Sequence, residues 1–253
     1  KEACMPYEWH KPLKKVAGDC GLVFFSTPFD LEGVDVLEDV DIPIYKIASF
    51  EINDIPLIKK VASCHKPIIM STGVADYNDI QIAINACHEM GNDDINLLKC
   101  TSEYPATYEQ ANLLTIPDMI KTFDCKVGVS DHTLGYIVPM TAVALGARIV
   151  EKHFILDRSL GGADSSFSME PSEFCMMVDN IRAVEKTFGI VKKEISERDR
   201  SKRRALYATK DIAIGDTFMS ENIGSYRPAD GLSPVYYEKI IGNKSKRFIA
   251  KGE

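Results

Sequence analysis

Two histidines that end consecutive apolar segments are the residues of this chain best suited to chemistry. His132 ends KVGVSDH and His153 ends RIVEKH, and each follows a polar residue two positions earlier, Ser130 and Glu151. Side chains alternate faces along a β-strand, so each histidine points the same way as that polar neighbour. Two imidazoles at one rim of a parallel sheet can hold a divalent metal and leave positions open for a substrate. The alternative is a pair of hydrogen-bonded rim histidines without a metal.

A lysine inside another apolar segment is the second candidate. Lys46 lies in YKIAS between Tyr45 and Ile47, and lysines are seldom buried without a partner. Either an anionic ligand or an acid from a neighbouring strand would supply that partner. Glu51 follows the same segment and is the candidate general base, although a lone glutamate here is also typical of a solvated loop. A bend at the strand end would bring Lys46, Ser49 and Glu51 to one place.

Hydroxyl side chains recur after these apolar segments and are suited to binding phosphate oxygens. Each of them can equally cap the helix that follows. Gly73, behind two of them, would let backbone N–H groups approach an anion closely. A Gly-rich loop, 159–171, follows His153 and could fold over a substrate, with Asp164 directed at its hydroxyls or at a metal. The hydroxyl candidates are Thr27, Ser49, Ser71, Thr72 and Ser130.

The elements that must position these residues alternate along residues 21–188. Apolar segments separated by amphipathic helical stretches predict parallel strands covered by helices on the outside. Polar residues at six successive strand ends favour a (β/α)8 TIM barrel over a doubly wound sheet, which concentrates its ligands at one switch point. The predicted strands are 21–27, 44–49, 67–72, 95–102, 126–132 and 148–154, and the clearest helices are 76–90, 136–147 and 171–189.

Six strands do not close an eight-stranded barrel. The sequence therefore predicts an α/β barrel whose first two βα units are absent from this chain, because an open arc would expose unpaired edges. We expect an N-terminally incomplete barrel domain over 1–189 and a charged linker over 190–204. Short strands with frequent Gly and Pro then predict a small, mostly β domain over 205–253. We expect this domain to be clipped at its C-terminus, because the sequence stops where another strand or turn is expected.

Composition narrows the class of protein. The 253 residues are 45% hydrophobic, enough for a large core, and the net charge of -7 argues against a general nucleic-acid binder. Seven cysteines without a C-x-x-C pair indicate free thiols in a reducing compartment. No signal peptide or membrane-length apolar run is seen, so a soluble, cytoplasmic protein is expected. Cys100 is expected to be a core thiol, and His10, His65 and His88 to be surface residues.

Longer motifs resemble the sialic acid synthase (NeuB-like) family in order and spacing. Residues 205–253 resemble the antifreeze-like (SAF) domain of that family. Within the family, the motif sequences are most similar to those of the pseudaminic acid synthases. Ser102 stands where many sialic acid synthases have asparagine. The motifs are FFSTPFD (24–30), YKIASFEINDIPLI (45–58), PIIMSTG (67–73), CTSEYPA (100–106), GVSDHTLG (128–135), AVALGARIVEKHF (142–154) and GGADSSFSMEPSEF (161–174).

The resemblance implies a reaction in which phosphoenolpyruvate condenses with an N-acetylated amino sugar to give a nine-carbon 2-keto sugar acid and phosphate. For the pseudaminic members the sugar is 2,4-diacetamido-2,4,6-trideoxy-altrose, and N-acetylneuraminate or legionaminate synthases are the alternatives. It also implies Mn²⁺ or Mg²⁺ on His132 and His153, and a domain-swapped homodimer. Catalytic roles are implied for Lys46 and Glu51. Phosphoenolpyruvate contacts are implied for Thr27, Lys46, Ser49, Ser71 and Ser130, and sugar contacts for Tyr104, Asp164 and, in trans, Arg227.

Two other hypotheses remain. A different phosphoenolpyruvate-condensing barrel, such as a 2-keto-3-deoxy sugar phosphate synthase, would not need a SAF domain. A decayed, non-catalytic carbohydrate-binding barrel is disfavoured because both histidines, Lys46 and Glu51 are present together.

Overall fold

The structure, a computed structural model, describes residues 5–253, and Cys4 lies outside them. The chain divides into two units, Lys1–Phe188 and Gly189–Glu253, each with its own hydrophobic core. In the first unit, strands alternate with helices as the sequence predicts. The elements are α1 (His10–Asp19), α2 (Leu31–Val40), β1 (Tyr45–Ile47), α3 (Ile55–Ala62), β2 (Ile68–Ser71), α4 (Tyr77–Glu89), β3 (Ile95–Cys100), α5 (Thr115–Phe123), β4 (Lys126–Asp131), α6 (Ile137–Ala144), β5 (Val150–Lys152) and α7 (Pro171–Thr187).

The strands of residues 5–188 form one parallel sheet in the order β1-β2-β3-β4-β5. If the sheet were flat, its edge strands would lie about 19 Å apart, because neighbouring strands are about 4.8 Å apart. Lys46 Nζ on β1 nevertheless lies 3.5 Å from Glu151 Oε2 on β5. Side chains of this length meet only if the sheet curls strongly toward one face. The predicted parallel α/β architecture is therefore confirmed as a curled, TIM-like half-barrel with a concave inner face.

The outer face of the sheet is the main core of this unit. Most side chains that point outward from the strands are apolar and almost completely buried beneath the helices, among them Ile47, Met70, Leu97 and Val127. Burying a side chain of this size contributes about 1.5 to 3 kcal/mol. Polar residues are concentrated on the inner face, where the strands end. The core thus holds the sheet in its curled form, and the polar residues at the rim of the concave face remain available to bind a ligand.

One predicted strand is wrong. Residues 21–27 form an isolated bridge from Ser26 to Tyr45, and no strand of residues 5–253 pairs with 21–25. Leu22 and Val23 are 66% and 63% exposed. Apolar, β-branched composition favours a strand only where another strand satisfies the backbone N–H and C=O groups. Composition alone could not reveal that this ladder is not formed.

Two side-chain environments complete the first unit. His10 is buried, with its ring packed edge-on against Phe24, so its predicted surface position is wrong, whereas His65 and His88 are exposed. His10 faces inward because it begins α1 where that helix packs on the residues that precede β1. The six described cysteines are all unpaired. Among residues 5–253, no helix has the length and apolar character that crossing a bilayer requires.

The second unit is small and built mainly from short strands and turns. β6 (Ala205–Ala208) and β7 (Ile223–Tyr226) pair antiparallel, and α8 (Glu197–Ser201) and α9 (Tyr237–Ile240) are single helical turns. Isolated bridges join Leu206 to Leu232 and Ile212 to Ile249. Leu206, Ala208, Ile212 and Ile223 form its buried core.

Gly128, on the inner face of β4, is required by close packing. A Cβ at this position would lie 2.7 Å from Leu98 Cδ2 and would also overlap the Ile149 carbonyl oxygen. We expect Gly128→Ala to destabilise the protein by about 3 kcal/mol, because backbone atoms cannot move aside as a flexible side chain can. Urea unfolding measures this change. Gly18→Ala is the control, since a Cβ there meets nothing within 4 Å and helix α1 should gain about 0.5 to 1 kcal/mol. Equal stability changes in the two variants would contradict the packing argument.

Candidate active site

The carboxyl ends of the strands bring five polar residues together on the concave face. Lys46 Nζ donates to Ser71 Oγ at 2.8 Å and lies 3.5 Å from Glu151 Oε2. Ser130 Oγ donates to Glu151 Oε1 at 2.7 Å. Ser49 Oγ accepts from the Gly73 N–H at 3.1 Å. This group forms a compact cluster of one cation, one carboxylate and several hydroxyls.

Lys46 has an acid partner, which is one of the two environments that its sequence context allows. Its side chain is 8% exposed, and its acid partner Glu151 comes from the far edge of the curled sheet. Glu151 is itself 41% exposed at its side chain, so solvent or a ligand reaches that side of the pair. An anion that enters the rim can therefore compete with Glu151 for the Lys46 ammonium.

A short 3₁₀ helix, Ser49–Glu51, directs Ser49 and Glu51 toward the same region as Lys46. The strand ends at Ile47, and the tighter helix breaks the alternation that would have placed these residues on opposite faces. Among the described residues, Glu51 Oε2 is the buried side-chain oxygen that has no hydrogen-bond partner. Burial raises the pKa of Glu51, although hydrogen bonding and the charge of Lys46 oppose this rise. An acid that has a raised pKa and one oxygen without a hydrogen-bond partner is suited to proton transfer.

The two histidines lie side by side, with ring centroids 5.1 Å apart. His132 Nδ1 lies 2.7 Å from the Thr101 carbonyl oxygen. Because a carbonyl only accepts, His132 Nδ1 must carry a proton, which leaves Nε2 as the ring nitrogen available to another partner. His153 Nδ1 lies 3.5 Å from Asp164 Oδ2, which places the acid on the corresponding nitrogen of the second ring.

The electrostatics of the two rings differ. Burial lowers the pKa of His132, but hydrogen bonds to Cys100 and to the Thr101 carbonyl outweigh burial and raise it overall. Burial and the neighbouring His132 lower the pKa of His153. In residues 5–253 no three His, Cys, Asp or Glu side chains are grouped closely enough to hold an ion by themselves. The donors present therefore fit a cation held by two imidazoles, with its other ligands supplied by substrate or water.

An aromatic wall borders the two histidines. The ring centroid of Tyr104 lies 4.2 Å from that of His132. The ring centroid of Phe167 lies 5.0 Å from that of His153 and 5.9 Å from that of Tyr104. Tyr104 is 47% exposed, whereas Phe167 is buried. Tyr104 and Asp164 thus lie beside the histidines.

Thr27 directly follows Ser26, whose bridge to Tyr45 on β1 brings this segment level with Lys46. Thr27 lines a cavity of about 700 Å³ with Tyr7 and His10, and within residues 5–253 no hydrogen bond joins it to Lys46 or Ser71. Arg227 belongs to the second unit, where it lines a cavity of about 610 Å³ with Tyr207, Tyr226 and Lys251.

Three residues near the site are absent from the predicted contacts. Glu151 shares its face with His153, and this parity was the signal that could have identified it. Phe167 had no signal beyond its place in the loop. Cys100 is buried, as expected of a core thiol, and His132 on the adjacent strand hydrogen-bonds to it. Burial raises the pKa of Cys100, while hydrogen bonds from His132 and Ser49 lower it more.

Comparison with known proteins found matches in both units of the chain. Residues 1–193 match the NeuB family and residues 203–253 match the SAF domain. The pseudaminic acid synthase of Helicobacter pylori is 42% identical over 253 residues, which cover 98% of this chain and 74% of the relative. The N,N'-diacetyllegionaminic acid synthase of Campylobacter jejuni is 41% identical over 239 residues, 92% of this chain and 72% of the relative. The crystal structure of N-acetylneuraminic acid synthetase from Leptospira borgpetersenii has a TM-score of 0.73 at 32% identity, covering 78% of this chain and 68% of that one.

Proposed function

This chain belongs to the NeuB family, and we propose that it condenses phosphoenolpyruvate with 2,4-diacetamido-2,4,6-trideoxy-altrose as a pseudaminic acid synthase. The observation that carries the proposal is the cluster of Lys46, Ser71, Ser130 and Glu151 beside two paired imidazoles. It unites an anion site with a site for a Lewis acid at one rim of a TIM-like sheet. The curled sheet would then be an arc of a (β/α)8 barrel.

Phosphoenolpyruvate carries a carboxylate and a phosphate, and the cluster offers groups that suit both. Lys46 supplies a positive charge in a place where water is scarce, so its interaction with an anion is strong. Ser49, Ser71 and Ser130 provide hydroxyl donors around it. On binding, the ligand would replace Glu151 as the partner of Lys46. Thr27, at the edge of the same strand layer, is the remaining proposed contact.

The carbon–carbon bond forms when C3 of phosphoenolpyruvate attacks the aldehyde carbon of the open-chain sugar. Water then adds at C2, and the tetrahedral intermediate releases phosphate by C–O cleavage. We assign the proton of that water to Glu51, whose buried Oε2 has no other partner. The raised pKa of Glu51 strengthens it as a base compared with an ordinary carboxylate.

The Nε2 atoms of His132 and His153 would hold a divalent cation, which polarises the sugar aldehyde when bound. Mg²⁺ prefers oxygen ligands, whereas imidazole nitrogen suits transition metals. The donor set therefore favours Mn²⁺ over Mg²⁺. The Thr101 carbonyl would orient the His132 ring, and the Asp164 carboxylate the His153 ring, each through the Nδ1 atom of the imidazole.

Sugar recognition is assigned to Tyr104, Asp164 and Arg227. The first two lie beside the histidines, and the exposed ring of Tyr104 offers an apolar surface to an acetyl or methyl group. We propose a homodimer in which Arg227 of one protomer contacts the sugar's N-acyl group in its partner.

Replacing Arg227 should affect the sugar and spare phosphoenolpyruvate. We expect Arg227→Ala to raise KM for the sugar at least tenfold, since it removes a charged hydrogen-bond donor, and to leave KM for phosphoenolpyruvate unchanged. Steady-state kinetics with each substrate varied in turn measures both. Lys210→Ala, another exposed cation of this unit, is the control. Equal losses for both substrates would contradict the assignment.

The proposed function is tested by incubating the protein with phosphoenolpyruvate and Mn²⁺ and either N-acetylmannosamine or the diacetamido-altrose. Phosphate release and product mass are followed together. Turnover with the altrose alone is expected. Turnover with N-acetylmannosamine alone would identify a sialic acid synthase and overturn the substrate assignment. Sugar binding without phosphate release would favour a non-catalytic carbohydrate-binding protein.

A further inference from the structure

A buried ion pair lies on the face of the sheet opposite the two histidines. Asp131 and Lys152 are paired residues of β4 and β5. Lys152 Nζ lies 2.6 Å from Asp131 Oδ2, and the two side chains are 1% and 2% exposed. Each residue directly precedes a histidine, and because side chains alternate, both point away from the concave face. The pair therefore makes no contact with the anion cluster around Lys46.

Thr133 ties this ion pair to the chain on the far side of His132. Asp131 Oδ1 accepts from the Thr133 N–H at 2.9 Å, and Asp131 Oδ2 accepts from Thr133 Oγ1 at 3.1 Å. Lys152 Nζ donates to the Thr133 carbonyl oxygen. These three residues, the Asp131 cluster, hold the backbone on both sides of His132 and join it to β5 immediately before His153.

A second contact from the same face reaches the imidazole of His132. Lys99 Nζ donates to Thr101 Oγ1 at 2.6 Å, and the Thr101 carbonyl accepts from His132 Nδ1 at 2.7 Å. Burial lowers the pKa of Lys99, and the charge of Asp131 opposes this. Both the backbone and the ring of His132 are thus anchored from behind the sheet.

A buried ion pair is unusual on this outer face of the sheet, which is otherwise mostly apolar. Val127 and Val129, on the same face of β4, are buried apolar residues. Apolar side chains of equal volume are often at least as stable as a buried ion pair, because the pair loses the hydration of two charges. What the Asp131 cluster adds is directionality, since its hydrogen bonds are satisfied only in one register of β4 against β5.

We propose that Asp131 and Lys152 are positioning residues that set the separation of His132 and His153 and thereby the affinity of the site for a divalent cation. This inference rests on the proposed function, because it takes the two histidines as the ligands. The ring centroids of the two histidines are 5.1 Å apart. A small shift of β5 along β4 would change this distance and so the fit of the two imidazoles to a cation. Groups that orient metal-binding histidines typically change metal affinity by about 10- to 100-fold.

The test separates positioning from stability. Asp131→Asn/Lys152→Met removes both charges together, so that neither is left buried and unpaired. We expect an unfolding midpoint near that of the wild-type protein but Mn²⁺ binding at least tenfold weaker by calorimetry, with an altered electron paramagnetic resonance spectrum of bound Mn²⁺. Asp35→Asn/Lys60→Met removes an ion pair of the same 2.6 Å length from the helical surface, and should bind Mn²⁺ as the wild-type protein does.

Unchanged Mn²⁺ affinity in the folded Asp131/Lys152 double variant would overturn the inference. If that variant does not fold, Thr133→Val replaces it, because it removes one hydroxyl donor and leaves the charges paired. Several-fold weaker Mn²⁺ binding is then expected, and unchanged binding would again overturn the inference. Failure of the proposed metal site gives a different result. In that case the wild-type protein would bind no Mn²⁺, or would bind it equally well after His132→Ala, and both the metal site and this inference would be overturned.

Discussion

Replacing His132 or His153 with alanine is expected to abolish Mn²⁺-dependent turnover, with kcat falling by about a thousandfold or more. Each substitution removes one of two proposed protein ligands, and metal-ion Lewis acidity contributes several kcal/mol to such a reaction, where 1.36 kcal/mol corresponds to tenfold. Phosphate release and Mn²⁺ calorimetry measure the two consequences separately. Phosphoenolpyruvate binding should persist, because Lys46 and its hydroxyl neighbours are unchanged.

His88→Ala is the matched control for these variants. His88 is exposed on α4, far along the chain from the rim, and should change neither Mn²⁺ binding nor turnover. Full activity in His132→Ala or His153→Ala would refute the ligand assignment. Lost activity with intact Mn²⁺ binding would instead assign the histidines to proton transfer.

Glu51→Gln is expected to lower kcat by about 10²- to 10⁴-fold, the usual contribution of a general base. KM for phosphoenolpyruvate should change little, because Glu51 makes no hydrogen bond to Lys46 or the serines. The variant should also be more stable than the wild-type protein, since a neutral amide replaces a carboxylate whose buried Oε2 has no partner. A stable but inactive variant distinguishes a catalytic role from a structural one. Glu32→Gln, an exposed glutamate on α2, is the control.

The pH dependence of the same variant follows from the raised pKa of Glu51. The base must be ionised, so wild-type kcat should fall as the pH drops through this raised pKa. For stability the sign is opposite: the folded state binds the proton more tightly than the unfolded state, so this residue's contribution is present at low pH and is lost as the pH rises through the folded pKa. The difference in unfolding free energy between wild type and Glu51→Gln should therefore grow with pH in that window. A pH-independent difference would contradict a perturbed Glu51.

Much of the fold and several site residues followed from local sequence pattern. Alternation along a strand places Ser130 with His132 and Glu151 with His153, and the structure has these residues on one face. Apolar segments between helical stretches predicted the parallel sheet correctly. The extended segment at 21–27 failed because strand formation depends on a backbone partner that composition does not specify.

The tertiary structure alone decided which residues meet. The pairing of Lys46 with Glu151 depends on the curl of the whole sheet, and the contact of Cys100 with His132 depends on the register of β3 against β4. The ion pair of Asp131 and Lys152 likewise requires β5 in register with β4. Within one strand, geometry follows from the covalent chain and is readable from spacing. Between strands, it follows from the packing of the entire core, which no single segment encodes.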